Sequence, residues 1–274
     1  LIRYKRAVDL CAFLTTLALF ASGGSLVRGQ ETNNVTEIVV VGTVHNPTTK
    51  FTEETLVAIL RRVNPDIVLL ELDPSFFDSS FALPEKYRTI SLENKAVTAY
   101  GKTAGVKLRP FDIEGRNKLY QAHDYFKREL SLNQEISRMY GAGQLSPEAR
   151  LLFEGLMALA AVRDSCSAER PEVINSSACD TAIEKKQDYA FKGIGKIVDL
   201  TPALKEFKPF WSLADDFWAR RNDAMVRNII KHSKELRARR VVVLCGYEHR
   251  YYLRDRLTEH APREGFIVKG YWDY

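Results

Sequence analysis

The four residues Ile38-Val-Val-Val41 run straight into Gly42, and near the other end of the chain Val241-Val-Val-Leu244 runs through Cys245 into Gly246. Continuous apolar runs of this length fit strands buried on both faces, the kind found in a parallel sheet with helices on either side. A third run, Ile67-Val-Leu-Leu70, comes after a segment from Phe51 to Val63 in which Leu56, Ile59, Leu60 and Val63 recur at helical spacing until Asn64-Pro65 ends it. Strand, helix and strand in this order make a βαβ unit. Shorter strands are expected at Val106–Arg109, after a helix from about 91 to 104, and at Phe266–Val268. The two ends of the chain thus share one sheet. The expected fold class is α/β, a mostly parallel central sheet flanked by helices.

The α/β rhythm is interrupted from 116 to 163, where the spacing is helical, with a break at Gly141-Ala-Gly143 and a restart at Ser146-Pro147-Glu148. This predicts a helical insertion. Lys192 to Lys208 reads as irregular, Phe210 to about Leu236 as a long helix, and Tyr251 to Leu257 as a shorter one. No Gly-, Ser- or Pro-rich linker divides the chain, so residues 30–274 are expected to form a single domain.

Residues 1–29 have the order of an export signal: basic Arg3, Lys5 and Arg6, an apolar run from Leu10 to Ala21, then Ser22-Gly-Gly-Ser25. The expected location is periplasmic or extracellular, with membrane contact only if this segment is retained. Of the formal charge of +5, Arg3, Lys5, Arg6 and Arg28 less Asp9 account for +3, leaving +2 for the remainder. That excess is no footprint for a nucleic acid. Cys166 and Cys179 flank a polar segment and are expected either to close a surface loop as a disulfide, worth about 3 kcal/mol in the chain-entropy account, or to stay free thiols. Cys245 reads as a small core residue. Asn34-Val-Thr36 and Asn175-Ser-Ser177 match the glycosylation pattern.

Two of the five histidines share one setting: Gly42-Thr-Val-His45 and Gly246-Tyr-Glu-His249 each come directly after a buried-strand pattern. Ligands of an open parallel sheet bind at the carboxyl edge of its strands, so both imidazoles can converge there. Glu71 succeeds Leu70 directly and reaches the same edge, where it could ligate a metal, hold a histidine tautomer or act as base. Asp112 lies past the third strand. Arg220, Arg221 and Asn222 offer donors from a helix, one arginine facing inward. His123, His232 and His260 read as solvated, and the aromatic stripe from Phe210 to Phe217 as core.

Gly42-Thr-Val-His45, Glu71, Arg221-Asn222 and Gly246-Tyr-Glu-His249 together resemble the Tiki/TraB superfamily, with its pheromone-shutdown (PrgY), GumN, erythromycin-esterase and ChaN-like branches, over roughly residues 37 to 260. The resemblance implies one cleft holding both histidines and the acid. It implies metal-dependent peptide cleavage in the Tiki manner, metal-free ester or lactone cleavage in the esterase manner, or haem binding in the ChaN-like manner. Glu248 and Arg250 depart from the small or apolar residues many relatives carry there. Two readings are open. One is a hydrolase of a peptide or ester bond, with His45, Glu71, His249 and Arg221 catalytic, Asn222 and Asp112 on the substrate, and a divalent metal on His45, His249 and Glu71 as an option. The other is a non-catalytic protein binding haem, a peptide or a small molecule in the same cleft.

Overall fold

The computed structural model describes residues 35–274; the segment expected to be an export signal, Cys11 and Asn34 lie outside the described residues. Five strands form one all-parallel sheet: β1 (Thr36–Thr43), β2 (Ile67–Leu70), β3 (Lys107–Pro110), β4 (Arg240–Gly246) and β5 (Phe266–Lys269), in the order β3-β2-β4-β1-β5. Nine helices accompany them among the described residues: α1 (Glu53–Val63), α2 (Leu92–Gly101), α3 (Arg116–Ala122), α4 (Tyr125–Gly141), α5 (Pro147–Ser167), α6 (Pro171–Ile174), α7 (Ser177–Leu200), α8 (Lys208–Glu235) and α9 (Tyr247–Glu264). No helix among the described residues is long and apolar enough to cross a membrane.

Alternate residues of each central strand serve opposite layers. Val39, Val41, Val68, Leu70, Val242 and Leu244 pack against α1 and α2, while Ile38, Val40, Leu69, Val241 and Val243 pack against α8 and α9. Both faces are covered, which is why the strands read as unbroken apolar runs. From β1 the chain crosses through α1 to β2 on one side; from β4 it crosses through α9 to β5 on the other. The neighbouring carboxyl ends of β1 and β4 are therefore the switch point of the sheet, where the two connections part and leave a crevice.

The helical part is larger than the expected 116–163. Residues 177–200, including the stretch expected to be irregular from Lys192, form α7, and a 3-10 turn at Pro202–Phe207 leads into α8, which starts at Lys208. Gly193 and Gly195 lie inside α7, where a Cβ on either would make ordinary contact with an aromatic ring, 3.5 Å from Tyr189 and 3.4 Å from Trp211. Helices α4, α5 and α7 share a second core with the start of α8, through Leu132, Ile136, Ile194, Ile197, Phe210 and Trp211. Further along, Met225, Val226 and Ile229 of α8 belong to the sheet core. One helix thus runs from one core to the other.

Cys166 and Cys179 form a disulfide with Cα atoms 6.0 Å apart. The segment between them is not a plain surface loop. Asn175 is fully buried; its Oδ1 accepts from Gly42 N at 2.7 Å, and its Nδ2 donates to Gly42 O at 3.0 Å and to Pro171 O at 2.9 Å. An amide so engaged is no acceptor for a glycan in the folded chain. His232, expected in solvent, is largely covered, its side chain 14% exposed beside Glu235. Burial lowers its pKa.

Candidate functional site

The functional side chains come from just past a strand, from the middle of α8 and, for Glu93, from the start of α2. Gly42 and Gly246 explain how the two histidine motifs fit together. A Cβ on Gly42 would stand 2.9 Å from Arg250 Cδ and 3.1 Å from Tyr247 Cα; one on Gly246 would stand 2.9 Å from His45 Nε2 and 3.5 Å from Glu71 Oε2. Each motif's glycine is the space occupied by the other motif's residues. Side chains would hold the two strand ends apart.

His45 adopts a left-handed backbone, φ 55°, which costs a non-glycine residue energy and persists only where neighbours enforce it. The start of α2 does so. Leu92 N donates to His45 O at 2.6 Å, and Glu93 Oε1 stands 2.8 Å from His45 Nδ1. Glu93 is buried and also bonds the Thr43 hydroxyl, while its Oε2 finds no partner among the described residues. Burial works against the imidazolium, but the bond to Glu93 and the charges of Glu93 and Glu71 overcome it and push the His45 pKa up to about 9. The ring is enclosed by pocket walls yet 53% exposed into the pocket itself, so water weakens this field.

His249, in the first turn of α9, is the opposite case. It is buried, its Nδ1 donates to Asn222 Oδ1 at 2.7 Å, and its Nε2 stands 3.1 Å from Arg221 Nη1. Arginine has only donors, so the neutral ring with its proton on Nδ1 satisfies both contacts. Burial drives its pKa down to about 4, against the pull of Glu71. The Trp218 indole stacks on the ring with centroids 4.3 Å apart.

Arg221 sits among these groups. Its Nε and Nη2 grip the two Asp112 oxygens at 2.8 and 2.7 Å, and Nη2 also reaches Glu71 Oε1 at 2.5 Å. Four of five N–H groups are thereby used, and one on Nη1 has no acceptor among the described residues. Two buried carboxylates raise its pKa well above the ordinary arginine value. Glu71 accepts a further bond from Gly246 N at 2.6 Å; burial opposes its charge, but His249, Arg221 and His45 hold its pKa down to about 2.

His45, Glu71, Arg221 and His249 line one cavity of about 460 Å³, walled also by Arg116, Tyr120, Phe126, Trp218, Tyr247 and Glu248. Asp112 and Asn222 do not line it. Asp112 lies fully buried behind it, bonded to Arg221 and Arg116, and Asn222 holds His249 from behind. Their place is support of the cavity wall and not the substrate surface expected of them. Arg221 is the inward arginine; Arg220 pairs outward with Asp216. Of the two departures in the second motif, Glu248 faces the cavity, whereas Arg250 is buried on Asp180 and Val40 O.

Three groups escaped the sequence reading. Glu93 shares the apolar face of α2 with Ala96, Val97 and Tyr100, and a carboxylate at that spacing was a signal. Trp218 was read as part of an apolar helix, which hid its face toward His249. Arg116 carried no signal.

A divalent metal does not fit this donor set. Glu71 has both oxygens committed, His249 Nε2 takes a bond from Arg221, and the guanidinium holds the position that a cation shared by Glu71 and His249 would need. No three His, Cys, Asp or Glu side chains converge on a metal position among the described residues. Compared with protein-family models, with curated proteins and with solved structures, the chain has no match.

Proposed function

We propose that the chain is a metal-independent hydrolase of ester or amide bonds, the esterase-like branch of the resemblance to the Tiki/TraB superfamily. The observation that carries this reading is a pair of imidazoles in one cavity with pKa values driven apart, His45 up to about 9 and His249 down to about 4. Environments that separate like groups give them different parts: the basic ring open to the cavity is left for proton transfer, and the buried neutral ring for holding Arg221.

In the proposed step, neutral His45 uses Nε2 to take a proton from water as the oxygen attacks the carbonyl carbon. Glu93 holds the opposite nitrogen and stabilises the imidazolium that forms, as a carboxylate does behind other catalytic histidines. Negative charge gathering on the carbonyl oxygen meets the unused N–H of Arg221. His45 then returns the proton to the leaving oxygen or nitrogen as the bond breaks. Asp112, Glu71 and His249 fix Arg221 in place, and Tyr120, Trp218 and Tyr247 supply flat walls for the body of the substrate. We also propose that the chain is exported, a reading in keeping with the Cys166–Cys179 disulfide.

The test is a panel of chromogenic esters and peptides with purified protein, after metal analysis and chelation. Turnover that survives chelation and falls at least a hundredfold in His45→Ala supports the reading. A coloured, inactive protein would point to haem, and turnover lost on chelation to a metal; either outcome refutes it.

A further inference from the structure

A second cavity, of about 300 Å³, opens in the helical part between α4, α5 and α7. Its walls are Ile136, Phe153, Leu156, Met157, Phe191 and Ile194, with Trp211 at one side. Ala160 on α5 and Ala190 on α7 also line it, and such short side chains keep a slot open between the two helices. Charged groups are confined to one end, where Glu129, Arg163 and Lys186 stand with Gln187, and Asn133 and Ser137 add two neutral polar groups along α4.

That polar end meets the catalytic cavity at Glu248. Gln187 Nε2 donates to Glu248 Oε2 at 2.5 Å, Lys186 Nζ lies 3.3 Å from the same oxygen, and Arg163 Nη1 lies 3.6 Å from Oε1. The two cavities also share helices: α4 gives Phe126 to the first and Glu129 to the second, and α8 gives Trp218 to the first and Trp211 to the second. Phe191 bridges the two indoles, with ring centroids 5.5 Å from each. From His249 through Trp218 and Phe191 to Trp211 the aromatic wall is unbroken.

We infer that this second cavity receives an unbranched aliphatic chain of the substrate, so that the protein hydrolyses acyl esters or amides with Glu248 and its three donors at the junction of the two compartments. The acyl carbonyl then lies at His45 and Arg221, and the tail extends along the aromatic wall. A cavity of this size accommodates roughly ten methylenes, taking each as close to the ~30 Å³ of a liquid water molecule. The inference rests on the hydrolase reading for the bond that is cleaved; the slot itself stands on its lining.

The experiment is kcat/KM for p-nitrophenyl esters from acetate to dodecanoate, with wild type, Ala190→Phe and Ala160→Leu, together with calorimetric binding of decanoate to the same three proteins. Circular dichroism checks that each variant is folded. The inference expects kcat/KM to climb up to about fourfold per methylene until the slot is filled, and both variants to shorten the optimum by several carbons while leaving acetate turnover within twofold. A flat dependence on length, or an optimum that neither folded variant moves, overturns it. If no ester is turned over, the hydrolase reading fails by itself: decanoate binding lost in the variants then still supports the slot, and binding absent or unchanged overturns it.

Discussion

Replacing Glu93 by Gln keeps the size of the side chain and removes the charge that holds a proton on His45. In the native chain burial opposes the imidazolium, and the Glu93 bond with the charges of Glu93 and Glu71 wins, so that the pKa stands at about 9. With Glu93 neutral, Glu71 remains, but its charge is already answered by Arg221 at 2.5 Å. The fall does not stop at the ordinary histidine value of about 6.5, because burial and the Arg221 charge still oppose the imidazolium. Because the ring is 53% exposed, solvent screening makes the full fall an upper limit, and a fall of at least one pH unit is expected. The general base is the neutral ring, so wild-type kcat/KM rises about tenfold per pH unit toward a limb near 9, with roughly 1% of His45 neutral at pH 7. In Glu93→Gln the limb moves to about 8 or lower. The same change acts on stability. A raised histidine pKa contributes stability that is complete below about 6.5 and is lost as pH rises through about 9, and the variant flattens that loss. The assay pairs the pH profile of kcat/KM with NMR titration of the imidazole protons, feasible with five histidines in the chain. A wild-type His45 titrating near 6.5, or a limb that stays at the same pH in the variant, would refute the reasoning.

Burial of neutral His249 sets an acid limit on the fold: the unfolded ring takes its proton near 6.5 and the folded one near 4, so stability is complete above pH 6.5 and falls by as much as about 3 kcal/mol on the way down to 4. Urea midpoints at pH 6.5 and 4.5 measure it, a window in which the His45 contribution hardly changes, and equal midpoints would contradict it; Glu71, held near 2, adds its own loss only below about 4.5. Gly246→Ala sets a methyl 2.9 Å from His45 Nε2 and is expected to lower kcat/KM about a hundredfold with the fold retained, whereas wild-type turnover would show that the close approach is irrelevant. Asn175→Ala leaves Gly42 N–H and C=O without their partner and is expected to cost about 2 to 4 kcal/mol in denaturant unfolding; a loss under about 0.5 kcal/mol would mean that water replaces the amide.

The sheet was legible because its central strands are buried on both sides and so cannot be anything but apolar from end to end. The helical part was less so. The stretch from Lys192 reads as irregular in one dimension, and what keeps α7 helical through Gly193 and Gly195 is the packing of Ile194, Ile197 and Val198 into the second core, which only the fold supplies. At the site, His45, Glu71, Arg221 and His249 were legible from strand ends and a shared G-x-x-H pattern. Asp112 and Asn222 were misread in the same way: sequence shows that a polar residue is near the edge but not which side of a neighbour it stands on. Both face the back of a group that faces the cavity. Glu93 was missed because attention to strand ends leaves out helix starts, although its position on an apolar helix face already demanded a partner.

The order of the strands makes the pairing of the two motifs a matter of topology before it is one of chemistry. With β4 inserted between β1 and β2, the chain must leave β1 and β4 in opposite directions, α1 over one face and α9 over the other. Nothing in either connection then covers the two carboxyl ends, and the residues just past β1 meet those just past β4. That encounter is tight enough that each side needs a glycine. It also explains why the site is asymmetric although the motifs look alike. After β1 the chain turns through a left-handed residue and leaves His45 open to the cavity with a carboxylate behind it, whereas after β4 it enters α9 at once and buries His249 in the first turn under Trp218. The same three-residue spacing thus gives one exposed, basic imidazole and one buried, neutral one, and the difference comes from the element into which each strand runs.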